Sequence, residues 1–244
     1  MHLESRTYMA QALRRHGPRG ATGTVLDVGA GGPGGVYRPL WEAAGWSYLG
    51  VDLGAGPDVD LVLPDPQVFP FADATFEAVI SGQMLEHNPM FWLTFLEMSR
   101  VLRPGGLMVH IAPSRGREHR TPQDCWRFYR DGMHALAHWA GLDLVEATTD
   151  WQSSDVDHYA RRRPVHAAKM RATARQLDTD WGDTVGVFRK PLLPIASGAE
   201  KYLSHFARHS LTGRRAAAQA HHLTQNILRA YHSGPHTDVA PVQG

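Results

Sequence analysis

The stretch VLDVGAGGPGG, residues 25–35, is the most informative part of the sequence. It passes from an apolar strand pattern into five glycines and one proline within seven residues. Glycine weakens the interior of regular structure, so such a run indicates a turn, a flexible loop, or backbone that lies against a ligand. The neighbouring elements decide between these three interpretations.

The composition of the 244-residue chain favours one large globular domain, or one domain with an appendage. A hydrophobic fraction of 43% allows a sizeable core, and a net charge of +1 argues against a nucleic-acid binder. The single cysteine, Cys125, excludes an internal disulfide framework and fits a reducing compartment. The N-terminus lacks an apolar signal core, and no run approaches the ~18 apolar residues that span a bilayer. We therefore expect a cytoplasmic protein with neither nucleic acid nor membrane as a partner. The oligomeric state is not predicted.

Strand and helix patterns alternate along most of the chain. This alternation predicts an α/β fold: a doubly wound, mainly parallel seven-stranded sheet with helices on both faces. The predicted strands are 24–28, 47–51, 60–63, 76–81, 107–112, 142–147 and 184–188. The predicted helices are 1–20, 36–44, 90–102, 126–140 and 196–232, with a turn at 104–106. We expect residues 1–190 to form one domain with a polar insertion at 149–183, and residues 191–244 to form a helical extension with a disordered tail.

The glycine loop is predicted to join the first strand to the first helix of the sheet. Ligands of doubly wound sheets bind at the carboxyl ends of the strands, and glycine backbone at a helix N-terminus can close on an anionic group. The spacing Gly29-x-Gly31-x-x-Gly34 also fits a dinucleotide site. Asp52 ends the second strand, where a carboxylate can accept two hydrogen bonds from a ribose diol. Together these features predict an adenosine-type cofactor, either a nicotinamide dinucleotide or S-adenosylmethionine.

Four segments of the chain resemble the class I S-adenosylmethionine-dependent methyltransferases. They are, in order, VLDVGAGGPGG, YLGVDLG, FPFADATFEAVISGQMLEH and MSRVLRPGGLMVHIAP. The sequence is most similar to the small-molecule group with an lPF…FDvV…lEH…RvLkPGG pattern, over about residues 22–148. The following HRTPQDCWRFYRDGMHALAHWAGL resembles a subgroup with an H-x-x-P-x-D-x-W-R-F stretch. The resemblance implies methyl transfer from S-adenosylmethionine to a small molecule.

The resemblance also implies a set of cofactor contacts. Asp27 would fix the amino end of the cofactor's methionine, and Asp52 would hold the ribose hydroxyls. Asp65 would lie near the adenine amine, with Pro66 against the ring. The remaining implied contacts are Gly29, Ala30 and Gly31 in the glycine loop, Leu53 after the second strand, and Ser81, Gly82 and Gln83 after the fourth strand.

Two positions depart from the family pattern. Pro33 replaces the third glycine of G-x-G-x-G, which changes the local path expected for the loop. Gln83 stands where some hydroxyl-methylating relatives carry a glutamate, three residues before Glu86-His87. In those relatives the two acids and the histidine hold a divalent metal. With one carboxylate missing, we expect no metal here, although amide oxygens can ligate hard cations.

Methyl transfer to a hydroxyl needs alignment, exclusion of water and a base near the operating pH, for which histidine is best suited. His87 follows the fourth strand and His119 follows the fifth, so these two are the candidate catalytic bases. The alternative interpretation of each is a structural histidine. We expect the insertion at 149–183 to cover the acceptor.

Four residues before the late helix are candidates for the acceptor site. They are Asp124, Trp126, Arg127 and Tyr129. The two aromatic residues could equally belong to the core, and the arginine could pair with the aspartate. The predicted function is O-methylation of a small molecule or sugar hydroxyl. The alternatives left open are N- or carboxyl-methylation of a small molecule, an NAD-dependent oxidoreductase, and an inactive binding protein.

Overall fold

A computed structural model describes residues 3–18, 23–32, 37–120, 122–173, 180–193 and 195–202. These residues form one seven-stranded sheet flanked by helices. The strands are β1 (Thr24–Val28), β2 (Ser47–Asp52), β3 (Leu61–Val62), β4 (Phe76–Gly82), β5 (Leu102–Arg115), β6 (Asp143–Thr149) and β7 (Gly182–Arg189). The helices are α1 (Leu3–His16), α2 (Arg38–Ala43), α3 (Phe91–Val101), α4 (Arg130–Ala140), α5 (Ser153–Arg162) and α6 (Pro164–Thr173).

The sheet has the strand order β3-β2-β1-β4-β5-β7-β6. The four pairs from β3 to β5 are parallel, and β7 pairs antiparallel with both β5 and β6. The α/β architecture predicted from the sequence is confirmed, and the sheet is mixed, with the predicted parallel pairing in four strand pairs and antiparallel pairing at β7. β7 follows β5 and β6 in the sequence but lies between them in the sheet. Its antiparallel direction therefore depends on long-range strand pairing that its own residues do not encode.

Helices cover both faces of the sheet, each face with its own apolar core. On one face, Phe95 and Met98 of α3 and Leu136 of α4 pack with Leu26 and Met108. The other face is covered by α1 and α2. Its core contains Met9, Trp41, Ala78, Val109 and Val187. This two-sided burial explains why β1, β4 and β5 are apolar on both faces.

Two predicted boundaries near the middle of the chain are corrected by the structure. β5 extends through residues 104–106, because Gly105 with φ +77° donates its amide hydrogen to the Lys190 carbonyl and continues the ladder. α4 begins at Arg130, not at residue 126. The backbone before it is held in extended form, since the Phe128 amide donates to the Pro113 carbonyl. Gly141, with φ +67°, ends α4 as predicted.

The polar insertion after β6 forms the helices α5 and α6. Arg161, Arg162 and Arg163 at the end of α5 are exposed to solvent. Residues 198–202 are helical, and the rest of the predicted C-terminal helix and tail lies outside the described residues. Among the described helices, none has the length and apolar character that a membrane crossing requires.

Candidate active site

A cavity of about 940 Å³ lies at the carboxyl ends of the parallel strands. The glycine loop and the ends of β1, β2 and β4 form one side of it, and the loops that follow β4, β5 and β6 form the other. This is the edge at which ligands bind to doubly wound sheets. Of the predicted cofactor residues, Gly29, Gly31, Asp52, Leu53, Pro66, Gly82 and Gln83 line this cavity.

The glycine loop is tied to the end of β2. The amides of Gly29 and Ala30 donate to the Val51 carbonyl, and the Gly31 amide donates to Oδ2 of Asp52 over 2.8 Å. A Cβ atom at Gly31 would lie 2.9 Å from that oxygen. The amide hydrogens of these three residues are therefore already bonded within the protein. What the loop offers a ligand is close approach to its backbone. Pro33 lies outside the described residues, so its effect on the path of the loop stays a prediction.

Asp52 retains capacity for a ligand despite its contacts within the loop. Its other oxygen, Oδ1, accepts the Leu53 amide over 2.6 Å. The Gly54 amide also donates to Oδ1, over a longer 3.4 Å. An ionised carboxylate offers about four acceptor positions, so at least one position remains for a hydroxyl hydrogen. Asp52 is half-buried and lines the cavity. These features fit the ribose contact that the resemblance implies.

Gln83 is held in an unusual backbone conformation at the end of β4. Its φ is +57°, in the left-handed region that side chains other than glycine rarely adopt. Its amide hydrogen bonds to the Ile111 carbonyl, and its side-chain amide donates to Oδ1 of Asp183 over 3.0 Å. These bonds fix the Gln83 side chain at the cavity wall. Backbone strain of this kind clusters at functional sites.

Four predicted cofactor residues are not part of the cavity lining among the described residues. Ala30 is buried behind the loop. Ser81 is fully buried and shares a 2.7 Å hydrogen bond with Nδ1 of His110, because its side chain points into the core rather than to the strand end. Asp65 accepts the Gln67 amide and caps its own turn. Asp27 is 3% exposed and accepts a hydrogen bond from the Tyr48 hydroxyl.

Burial dominates the ionisation of Asp27. Removal from water raises the pKa of its carboxyl to about 7, against the lowering effect of the Tyr48 hydrogen bond. Its Oδ1 atom has no hydrogen-bond partner among the described residues. A cationic amine near this carboxyl would be favourable, as the resemblance implies, but the side chain does not border the cavity in the part of the chain that is described.

The two candidate bases lie next to each other in the wall of the cavity. His87 and His119 both line the cavity, and their rings pack edge-to-face with centroids 4.9 Å apart. Nδ1 of His87 lies 2.5 Å from the Gln123 carbonyl oxygen, which leaves Nε2 as the nitrogen with a lone pair. Glu86 lies beside them and is fully buried. Burial raises the pKa of the Glu86 carboxyl to about 8.

The candidate acceptor residues have mainly structural contacts. Asp124 and Arg127 form a two-pronged ion pair, with distances of 2.5 and 2.7 Å, and the guanidinium holds the pKa of the carboxyl well below its usual range. Trp126 donates its indole hydrogen to the Asn88 carbonyl, and Tyr129 stacks on Trp151. None of these four side chains lines the cavity among the described residues. The alternative of core aromatic residues is wrong, since Trp126 is 38% and Tyr129 52% exposed, and the acceptor role of the four residues stays a prediction.

Several residues that line the cavity belong to no recognisable motif and were not predicted from the sequence. Glu4 comes from α1, at the start of the chain. Asp150 and Trp181 flank the insertion, so its two ends reach the cavity, whereas α5 and α6 contribute no lining residue in the described ranges. The Tyr8 hydroxyl shares its hydrogen between the two carboxylate oxygens of Asp150, at 2.8 and 2.9 Å. These contacts span more than 140 positions, and no local pattern predicts them.

Comparisons with known proteins agree with this geometry. A family model described as a methyltransferase domain matches residues 26–110. An uncharacterized methyltransferase of Mycobacterium avium is 40% identical over 155 residues, which cover 57% of this chain and 58% of that protein. The chain thus matches less than two thirds of the length of this relative.

Two solved structures are similar in fold. A Burkholderia thailandensis 1,6-didemethyltoxoflavin-N1-methyltransferase, solved with 1,6-didemethyltoxoflavin and S-adenosylhomocysteine, has a TM-score of 0.54 at 18% identity. The match covers 77% of this chain and 78% of that one. The [4+2]-cyclase SpnF has a TM-score of 0.53 at 18% identity, with 77% and 81% covered. At such identities the likeness concerns the fold alone.

The family match, the resemblance of the four motifs and the position of the cavity lead to the same assignment. The matched segment runs from β1 into β5 and contains the glycine loop, Asp52 and the Glu86-His87 pair. Residues 26–110 are therefore similar to a methyltransferase domain.

Proposed function

We propose that the protein transfers the methyl group of S-adenosylmethionine to a hydroxyl group of a small molecule or sugar. The observation that carries this proposal is one cavity lined by two sets of residues. The glycine loop and Asp52 form one part of its wall, called the first end, and His87 and His119 form another part, called the second end. A methyl donor and an acceptor hydroxyl can therefore meet inside one enclosure.

The described residues fit the cofactor at the first end. Gly31 leaves room beside Asp52 that a Cβ atom would fill, and Pro66 presents an apolar ring surface. When bound, S-adenosylmethionine supplies an electrophilic methyl group on a sulfonium. The role of the protein is to align the two reactants and exclude water. Asp27, Ala30, Ser81 and Asp65 support this end from behind the lining.

At the second end, the two histidines supply the residues that a hydroxyl acceptor needs. A neutral hydroxyl is a poor nucleophile, so loss of its proton during transfer lowers the barrier. Nε2 of His87 is suited to take this proton, because Nδ1 is engaged with the Gln123 carbonyl. Asp124 and Arg127 hold the loop that presents His119, since the His119 amide donates to Oδ2 of Asp124. Trp126 and Tyr129 fix the chain where it leaves this loop.

The charge of the cavity wall narrows the acceptor class. Among the described residues that line it are the carboxylates Glu4, Asp52 and Asp150, and none is lysine or arginine. Recognition of a phosphate or carboxylate normally uses such cations. An anionic acceptor is therefore disfavoured, which argues against carboxyl methylation. A cationic or neutral amine is compatible with the same wall, so N-methylation is the second candidate.

The test begins with cofactor binding to the whole chain. S-adenosylhomocysteine should raise the melting temperature, because a ligand at a hundredfold excess over its Kd stabilises by about 2.7 kcal/mol. Asp52→Ala should remove most of this shift, and the exposed Asp143→Asn should keep it. A larger shift with NADH than with S-adenosylhomocysteine would contradict the proposal.

Transfer is measured with methyl-labelled S-adenosylmethionine and fractionated extracts. We expect label in a small molecule or glycan through an ether linkage stable to mild base. A base-labile ester would show carboxyl methylation, and a labelled amine would show N-methylation. His87→Ala and His119→Ala should each retain the thermal shift with S-adenosylhomocysteine, and at least one should lower turnover by about 10²–10⁴-fold.

A further inference from the structure

Glu86 carries a carboxylate that is buried without a partner. Its side chain is 0% exposed, and neither Oε1 nor Oε2 has a hydrogen-bond partner among the described residues. Asp183 and Asp124 lie near enough to add further negative potential, which Arg127 only partly offsets. An uncompensated carboxylate away from water costs several kcal/mol, so such a group takes either a proton or a cation.

His87 directs a nitrogen lone pair toward the same point. Its Nδ1 atom is bonded to the Gln123 carbonyl, so Nδ1 carries the hydrogen and Nε2 does not. Nε2 lies 3.6 Å from Oε1 of Glu86. A ring nitrogen held by a backbone carbonyl, with the other nitrogen free, is the arrangement in which histidine binds metals.

His119 completes the group from a different loop. Its Nδ1 atom lies 3.1 Å from Oδ2 of Asp124, a carboxylate held in turn by Arg127. The His119 ring also packs edge-on against Trp181, with centroids 5.1 Å apart. Asp124 accepts the His119 backbone amide over 2.8 Å, whereas the ring Nδ1 has no hydrogen-bond partner among the described residues, so the ring nitrogens stay available to a metal.

We propose that Glu86, His87 and His119 bind a divalent transition-metal ion of the Zn²⁺ or Fe²⁺ class at the wall of the cavity. One ligand atom from each of these residues lies within 4.8 Å of the others. Ligand atoms at about 2.1 Å from a tetrahedral ion lie about 3.4 Å apart, so closure needs relative side-chain movement of up to about 1.4 Å. Two imidazoles and one carboxylate select such ions over Mg²⁺, which prefers oxygen ligands.

Gln83 is not needed for this site. Its side-chain amide is turned toward Asp183, and the third ligand comes from His119, 36 positions away in the chain from Gln83. The prediction that no metal is bound considered only ligands close to Glu86 in the sequence, and His119 is not among them. The donor set proposed here, with two nitrogens and one oxygen, also differs from the two acids and one histidine of the hydroxyl-methylating relatives described above.

The site would serve the reaction by polarising an acceptor oxygen. Three protein ligands leave at least one coordination position open, as in catalytic zinc sites. His87 and His119 line the cavity, so an ion held by them could meet an acceptor there. This role, though not the binding itself, rests on the proposed function. In the metal-bound protein both imidazoles are ligands, and neither acts as a free base.

The test is metal binding by the purified full chain after removal of metals. Zn²⁺ titrated calorimetrically should bind at one equivalent, and Co²⁺ should give the visible absorption of a site with nitrogen and oxygen ligands. Glu86→Gln and His119→Ala should each weaken Zn²⁺ binding by at least about tenfold. His134→Ala, which removes an exposed histidine on α4, should leave it unchanged. Circular dichroism checks that each variant is folded.

The outcomes separate this proposal from the proposed function. A folded parent without stoichiometric Zn²⁺ binding overturns the metal site, as does binding that Glu86→Gln and His119→Ala leave unchanged. Methyl transfer that survives chelation but is lost in His87→Ala overturns the catalytic role of the ion and supports the free base. Zn²⁺ binding that depends on all three ligands, in a protein without transfer activity, supports the site and contradicts only the proposed function.

Discussion

At the scale of single residues, Asp27 gives a stability prediction with a definite sign. Its folded pKa of about 7 exceeds the unfolded value of 3.8, so between these pH values only the folded state keeps the proton. The free energy of unfolding should therefore fall as pH rises from about 4 to 7, by up to about 1.4 kcal/mol per pH unit, and level off above. Asp27→Asn should remove this contribution.

Urea unfolding of parent and Asp27→Asn at pH 4, 5.5 and 8 measures this effect. The two proteins should differ least at pH 4, and the variant should be the more stable at pH 8. Asp143→Asn, at an exposed position of β6, should run parallel to the parent. A variant that loses stability equally at every pH would show that Asp27 acts through the Tyr48 hydrogen bond and not through its ionisation.

Residue types at strand ends were the part of the site that the sequence could predict. Asp52 ends β2 and His87 lies in the loop after β4, and these positions indicate the ligand-binding edge. Ser81 is also near the end of its strand but points into the core, because side chains alternate between faces along a strand. The approach of His119 to Glu86 could not be predicted, since His119 lies on another loop whose path depends on Asp124 and Arg127.

At the scale of elements, Gly82 allows the end of β4 to pack closely against the helices on one face of the sheet. A Cβ atom there would lie 2.0 Å from the Tyr37 hydroxyl oxygen, which shares a 2.6 Å hydrogen bond with Ser5 of α1. Gly82→Ala must displace a buried ring or α1 itself, and overpacking of this kind costs about 1–3 kcal/mol. Chemical unfolding of the ligand-free protein measures the loss.

Gly54→Ala is the matched control for that substitution. A Cβ atom at Gly54 meets nothing within 4 Å, so the unfolding free energy should stay within about 0.5 kcal/mol of the parent. Equal losses for the two variants would contradict the packing described between Gly82 and Tyr37.

The boundary of α4 shows why element limits were predicted less well than element types. Residues 126–129 have helical apolar spacing, yet Trp126 donates to the Asn88 carbonyl and Phe128 to the Pro113 carbonyl. These bonds to distant loops satisfy the backbone and the indole at once. Tertiary hydrogen bonding therefore overrides local propensity, and the sequence of the segment does not contain its partners.

At the scale of the whole molecule, the position of β7 makes β6 dependent on it. β6 pairs only with β7 among the described strands, and β7 in turn pairs with β5. Val187→Ala, at a fully buried position of β7, should speed amide hydrogen exchange in β6 as well as β7. The same substitution at buried Val51 in β2 should speed exchange in β2 and β3 and leave β6 protected.

Exchange measured by mass spectrometry of peptides from each strand distinguishes these patterns. Uniform acceleration across all strands in both variants would show that the sheet opens only as a unit. The alternation of strands and helices in the sequence predicted the parallel pairing seen from β3 to β5. The insertion of β7 between β5 and β6 was not predicted, since it depends on long-range pairing.

The same strand order has a consequence for how the chain matures during synthesis. A ribosome delivers β5 and β6 before β7, so the gap between them stays unfilled until residue 189 has emerged. α1 cannot complete its contacts until these strands exist, because Arg189 of β7 donates a hydrogen bond to the His16 carbonyl and Arg15 forms an ion pair with Glu146 of β6. Long loops must close before these contacts form, which slows folding and prolongs exposure of apolar edges. We expect the nascent protein to need chaperone protection until β7 is available.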